Sequence, residues 1–277
     1  MYSLNLRYRA ITALTVACLL LSLAAAAADT SNDPKLTEDQ IKNFLLNAKV
    51  VQNKTSKKGI TDTARLTLSD GTLTHDASFQ SIDEHKSMTE MANGRMEMNF
   101  VDSYKYNIAG YVLSRMIGLD DLVPVYVERK WNGKKGSLSW WLPVKMDDVQ
   151  RQAQKIEPPD QDAWNKQMYK VRVFDQLIYD TDVNLSNVLI GEDWHIWRID
   201  FTRGFRTYKT LQHPEELVKC DRQLLEKLKA LDKKQFAAAT KGYLNGWEID
   251  AVMARRDKIV DHFQKLIAEK GDAEVLY

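Results

Sequence analysis

Cysteine is almost absent from this chain. Two residues, Cys18 and Cys220, in 277 cannot build a disulfide framework or a cysteine-rich zinc site. Histidine is scarce too. His75, His85, His195, His213 and His262 form no His-Glu-x-x-His or His-x-His frame, so a zinc hydrolase has no support. No Gly-x-Ser-x-Gly elbow occurs, which argues against an α/β-hydrolase. Surplus charge is missing as well. Lys plus Arg is 39 and Asp plus Glu is 38, a net charge of +1. That balance lacks the basic footprint of a nucleic-acid binder and the polybasic surplus of a membrane-surface protein. What remains is an ordinary globular mixture, 44% hydrophobic and 28% charged. The length suits one domain of two lobes, or two domains.

The single long apolar run lies at the N-terminus. Arg7 and Arg9 precede Ala10–Ala28, which ends in five alanines before polar Asp29–Asp33. Basic start, apolar middle and small-residue end are the order of a secretory signal, so residues 1–28 are read as a signal peptide. An uncleaved anchor helix is the alternative, since the run nearly reaches bilayer length. A lipoprotein acylated at Cys18 is another, although Thr15 stands where an aliphatic residue is usual. Cleavage near Ala28 removes Arg7 and Arg9 and leaves 37 basic against 38 acidic residues, a net charge of −1. Cys220 is then the remaining thiol, expected as a buried structural residue. No second apolar run reaches membrane length. The expectation is an exported protein, periplasmic or secreted, with no membrane span after cleavage.

The mature part changes character near Pro159. Before it the pattern is mostly sheet: a short helix over Lys35–Asn47 with Thr37 as N-cap, a strand Ala48–Val51, a polar loop to Gly59, and alternating runs on either side of Ser69-Asp70-Gly71. Asp83–Asn99 is polar and Met-rich without a clear period, and is read as a loop. A helix starts at Asp102 and stops at Gly118, followed by strands Val123–Arg129 and Ser137–Val144 around an Asn132–Gly136 turn. Beyond Pro159, Gln161–Tyr179 has helical spacing. A loop runs from Asp180 to Asn187, then two short strands lead to Asp200, and the tail is helical. The seven tryptophans are mostly core candidates, and Trp140 and Trp141 on one strand must face opposite ways.

Two segments carry chemistry. Asp182 and Asn187 stand five apart after the long apolar helix, and Asp200-Phe201-Thr202 begins thirteen residues beyond Asn187. The pattern resembles the catalytic core of the protein-kinase-like fold, in which an Asp and an Asn on the catalytic loop precede a hairpin and an Asp-Phe-Gly motif. The resemblance implies roles. Asp182 orients the attacking hydroxyl, and Asn187 and Asp200 hold Mg²⁺ or Mn²⁺ against the phosphates of ATP, because phosphoryl transfer needs a carboxylate and hard oxygen ligands. The opposite reading is three turn or cap residues, since Asp and Asn favour loops.

Tyr106–Arg115, Gly118-Leu119 and Val123–Arg129 look like the secretory-pathway kinases related to Golgi casein kinase, and more distantly HipA and phosphatidylinositol kinases. The whole mature chain also looks like a group of exported bacterial proteins that share a Trp-Trp pair. The resemblance covers roughly residues 45–270. It implies an α+β, two-lobed kinase-like fold: a mostly β N-lobe over 29–147 with one long helix, and a mainly helical C-lobe over 148–277.

Departures from that pattern fall on charged positions. Gln80 occupies the place of the strand Lys, and Asn107 that of its helix Glu, so both halves of the usual ion pair are missing. A Gln–Asn pair keeps geometry by hydrogen bonds without charge for the phosphates. The phosphate loop has the single glycine Gly59. Asn184 replaces the usual Lys or His, and Thr202 the usual Gly. Lys57 or Lys58 could reach the phosphates from the loop, Arg203 or Arg206 could supply charge after Asp200, or both Arg could be surface ion-pair residues. Lys86 is a further candidate if the strand alignment is shifted. Little ATP is found outside a bacterial cytoplasm. Two functions follow as expectations: an exported phosphotransferase with an unidentified acceptor (protein, sugar or lipid), or a pseudokinase serving as a binding or scaffold module.

Overall fold

Alternating runs in the first half build an antiparallel sheet with one helix on its face. The computed structural model describes residues 36–55, 63–90, 94 and 96–277, and residues 36–277 form one compact unit. The signal-like segment, together with Lys57, Lys58 and Gly59, lies outside the described residues.

Helix α1, Glu38–Asn47, starts at Thr37, which forms a reciprocal capping box with Gln40. Strands β1 (Lys49–Thr55), β2 (Thr63–Ser69) and β3 (Thr74–Gln80) follow. The β2–β3 turn is held by the Asp70 carboxylate, which accepts from the backbone N–H of Thr72 and Leu73 at 2.9 and 2.8 Å. Next come β4 (Asp83–Glu90), β5 (Met96–Ser103) and helix α2 (Tyr104–Met116). The segment 83–99, expected as a loop, is therefore largely a two-stranded ribbon. Strands β6 (Tyr126–Trp131) and β7 (Lys134–Trp140) close a tight hairpin at Asn132-Gly133, both with positive φ (48° and 80°), which matches the twist of the flanking strands. The turn is shorter than expected, and β7 begins at Lys134.

The five-stranded sheet has the order β1-β2-β3-β7-β6. Leu66, Leu68, Ala77, Phe79 and Leu138 bury its inner face under α2, whose Ile108, Ala109 and Leu113 are buried in turn. Gly136 on β7 is required where it stands, because a Cβ there would strike the Gln80 carbonyl and the Phe79 ring.

The second half is mainly helical. Strand β8 (Val144–Asp147) leaves the large sheet and leads into α3 (Asp148–Ala153) and α4 (Gln161–Ile178). Strands β9 (Val188–Gly191) and β10 (Ile196–Arg198) pair with β8 in the order β10-β9-β8. Helices α5 (Arg222–Ala230), α6 (Lys233–Ala239), α7 (Gly246–Lys270) and α8 (Asp272–Val275) complete the chain. The fold is α+β, with a sheet-rich first half and a helical second half. Cys220 is fully buried, and burial pushes its thiol up to about 12, so it behaves as a core residue. Among the described residues, no helix is long and apolar enough to cross a membrane.

Candidate functional site

Three elements deliver the site residues. Helix α4 ends at Tyr179, in the left-handed region at φ 52°, and releases the loop that carries Asp182. A short 3₁₀ turn, Leu185–Asn187, then feeds β9. The β9–β10 register sets Val188 opposite Arg198, so the residues just outside the hairpin face each other. Ile199 N–H donates to the Asn187 carbonyl at 3.0 Å, which places Asn187 beside the strand end that carries Asp200. The same loop is fastened to the segment after Asp200. The Arg203 carbonyl accepts from both the backbone N–H and the hydroxyl of Thr181, at 3.3 and 3.1 Å.

Gln80 and Asn107, paired on the resemblance alone, do meet. Asn107 Nδ2 donates to Gln80 Oε1 at 2.7 Å and to Ser137 Oγ at 3.2 Å. Gln80 Nε2 reaches Asp200 Oδ1 at 3.4 Å. Asn107 Oδ1 accepts the Phe201 backbone N–H at 2.7 Å. Strand β3, helix α2 and the Asp200-Phe201 segment are thus joined by one network of amides that ends on the Asp200 carboxylate. Phe201 is fully buried against Phe174, and a Cβ on Gly110 would come within 2.7 Å of its ring, so glycine is what lets α2 approach.

Asp200 itself takes a left-handed backbone, φ 59°, a conformation Asp tolerates better than most residues. Burial, reinforced by the field of Asp180, raises its carboxyl above the ordinary range. Asp102, at the end of β5, lies close enough to Asp182 and Asp200 to feel both charges. Burial raises Asp102 as well, and its Oδ1 has no hydrogen-bond partner. No sequence pattern singles out Asp102, since one Asp before a helix reads as a cap.

A buried ion network that the sequence reading also missed lies under the loop. Arg198 donates from Nε to Asp175 Oδ1 at 3.0 Å and from Nη2 to Asp180 Oδ2 at 2.6 Å. Asp180 in turn accepts the Asp182 backbone N–H on Oδ1 at 2.9 Å. One guanidinium two residues before Asp200 therefore orients the carboxylate that holds Asp182. Burial drives Asp175 up to about 6 despite Arg198. Burial also disfavours charge on Arg198, but Asp175 and Asp180 outweigh it and hold its pKa above the ordinary value.

Arg203 and Arg206 are not surface residues. Both are more than nine-tenths buried and share the carboxylate of Glu97 on β5, with Arg206 Nη2 at 2.6 Å. Arg203 Nε and Arg206 Nη1 have no acceptor. Lys86 is exposed and pairs with Glu84 at 2.6 Å, so it does not replace the missing strand lysine. Asp182 and Asn184 are exposed, and Asn187 is half-buried.

The donor chemistry fits a divalent ion held with phosphate. Asp200 and Asn187 offer hard oxygens from adjacent strand ends, and the unpartnered Asp102 oxygen is a buried acceptor in the same field. Among the described residues no three His, Cys, Asp or Glu stand close enough to cage an ion. An ion there therefore needs oxygens from Asn187 and from its ligand, which is the usual state of Mg²⁺. A cavity of about 560 Å³ opens beside the loop, lined by Thr181, Val183, Leu185, Arg151 and Arg172. None of Gln80, Asn107, Asp182, Asn187 or Asp200 lines it.

The arrangement defines a kinase-like fold with a divergent core. Comparison with solved structures agrees. Hydra Fam20 with sugar is similar at a TM-score of 0.61 and 14% identity, over 88% of this chain and 93% of that one. The Golgi casein kinase with Mn/ADP bound is similar at 0.58 and 12%, over 87% and 79%. The Helicobacter pylori proinflammatory kinase CtkA is similar at 0.53 and 10%, over 82% and 98%. No protein-family model matches the chain, and no curated protein matches it in sequence.

Proposed function

We propose that this chain is an exported, divergent phosphotransferase that uses ATP with Mg²⁺ or Mn²⁺. The observation that carries the reading is the Gln80–Asn107–Phe201 network. It links β3, α2 and Asp200 at the position where kinases use a charged pair, which supports a site kept in register without that charge. Asp200 and Asn187 would hold the metal, with Asp102 as a further acceptor. A bound divalent ion neutralises charge on the phosphates. Asp182, held at its backbone by Asp180, would orient the acceptor hydroxyl and take its proton. The acceptor is a protein, sugar or lipid hydroxyl. The N-terminal sequence supports export to the periplasm or beyond.

A second reading is a pseudokinase that binds a partner without transferring phosphate. The uncharged Gln80–Asn107 pair favours it, because nothing at that position attracts phosphate. Release of phosphate or self-labelling from γ-labelled ATP separates the two. The first reading expects metal-dependent turnover that Asp182→Asn lowers by about two orders of magnitude or more. Nucleotide binding without turnover, at the same level in wild type and Asp182→Asn, favours the pseudokinase.

A further inference from the structure

The β4–β5 ribbon has two unlike faces. Its register sets Met88 directly opposite Met98 and Glu90 opposite Met96. Residues two apart on a strand share a face, so Met88, Met96 and Met98 lie together. All three are more than half exposed, at 52%, 53% and 58%. The opposite face carries Thr89 and Glu97, both half-buried, and Glu97 fastens it to Arg203 and Arg206. The ribbon is thus anchored by its polar face and turns its thioethers to solvent. A half-solvated antiparallel pair ordinarily does the reverse.

A face built for apolar burial on a strand is better served by β-branched or aromatic side chains, which have the higher strand propensity. Thioether sulfur offers what those lack, a soft ligand that selects Cu(I) over hard ions. Directly opposed side chains start about 4.5–5.5 Å apart at Cβ, and diagonal ones about 7–8 Å. Methionine has three rotatable bonds with which to close those gaps around one ion. We propose that Met88, Met96 and Met98 form a three-thioether site for one soft monovalent cation, Cu(I). The site is separate from the residues assigned to phosphoryl transfer and does not depend on that assignment.

The test uses the full chain, ¹³C-labelled at its methionine methyls and titrated anaerobically with Ag(I), a redox-inert probe of the same softness. Of the nine methionines, the methyl signals of Met88, Met96 and Met98 should shift together and saturate at one ion per chain. Silver captured by Cys18 or Cys220 leaves those three methyls unmoved, so thiol binding does not mimic the result. Met88→Leu combined with Met98→Leu conserves side-chain volume on an exposed face and should abolish saturable binding there. Cu(I) competition against bicinchoninate should show the same loss. Three unshifted methyls in the wild-type protein, a drift without saturation, or undiminished binding by the double variant would overturn the proposal. The wild-type titration decides the question even if the variant folds poorly.

Discussion

One neutral amide, Asn107, serves three partners: Gln80, Ser137 and the Phe201 N–H. Asn107→Ala removes hydrogen bonds to three elements at once. It is expected to destabilise by about 1–3 kcal/mol, read as a lower urea midpoint at unchanged slope. Asp180 is the more sensitive position. It and Arg198 are both fully buried, so Asp180→Ala leaves the guanidinium with Asp175 alone and should cost about 3 kcal/mol. Asp180→Asn keeps an acceptor for the Asp182 N–H and should cost less. Equal losses in the two variants would remove the positioning role given to that hydrogen bond. The candidates Asp182, Asn187 and Asp200 were picked out by residue type and spacing, which survive in a one-dimensional string. Asp102, Asp180 and Arg198 were not, because what marks them is burial and an absent or shared partner, which only the fold supplies.

At the scale of elements, the hairpin residues tell why some structure was hidden. Strands β2 and β3 alternate apolar with polar residues around an Asp-Gly turn and were legible. The β4–β5 ribbon also has period two, but its outward face is Met and its inward face is Thr and Glu, so the usual contrast is inverted and the run looked irregular. The same inversion concealed Glu97 as the partner of Arg203 and Arg206. Helix α1 is tied to α2 by Glu38, which receives Tyr111 Oη at 2.5 Å and Arg115 Nε at 2.6 Å. Partial burial opposes its ionisation, yet Lys42, Tyr111 and Arg115 lower its pKa to about 2. A depressed carboxyl contributes stability that is complete above its ordinary value of 4.5 and is lost as pH falls through about 2. Glu38→Gln should therefore melt lower than wild type at neutral pH, by under about 1 kcal/mol per screened pair. The gap should close between pH 4.5 and about 2. A gap that stays constant across that range would contradict the assignment.

Over the whole molecule a sheet-rich half meets a helical half at the candidate site, where the amides Gln80 and Asn107 are paired. Kinase-like similarity at 10–14% identity fixes the fold, while the chemistry rests on the residues now at the site. Asp102, Asp182 and Asp200 concentrate negative charge with no lysine among the described site residues, so nucleotide should enter only with a divalent ion. The most direct measurement is thermal unfolding with ATP alone, with Mn²⁺ alone and with both, on the wild type and Asp200→Ala. Ligand at a hundred times its dissociation constant adds about 2.7 kcal/mol, or several degrees for a chain of this size. That rise is expected in the wild type only with ATP and Mn²⁺ together, and is lost in Asp200→Ala. An unmoved transition at saturating nucleotide and metal, or an equal rise in the variant, would contradict that expectation.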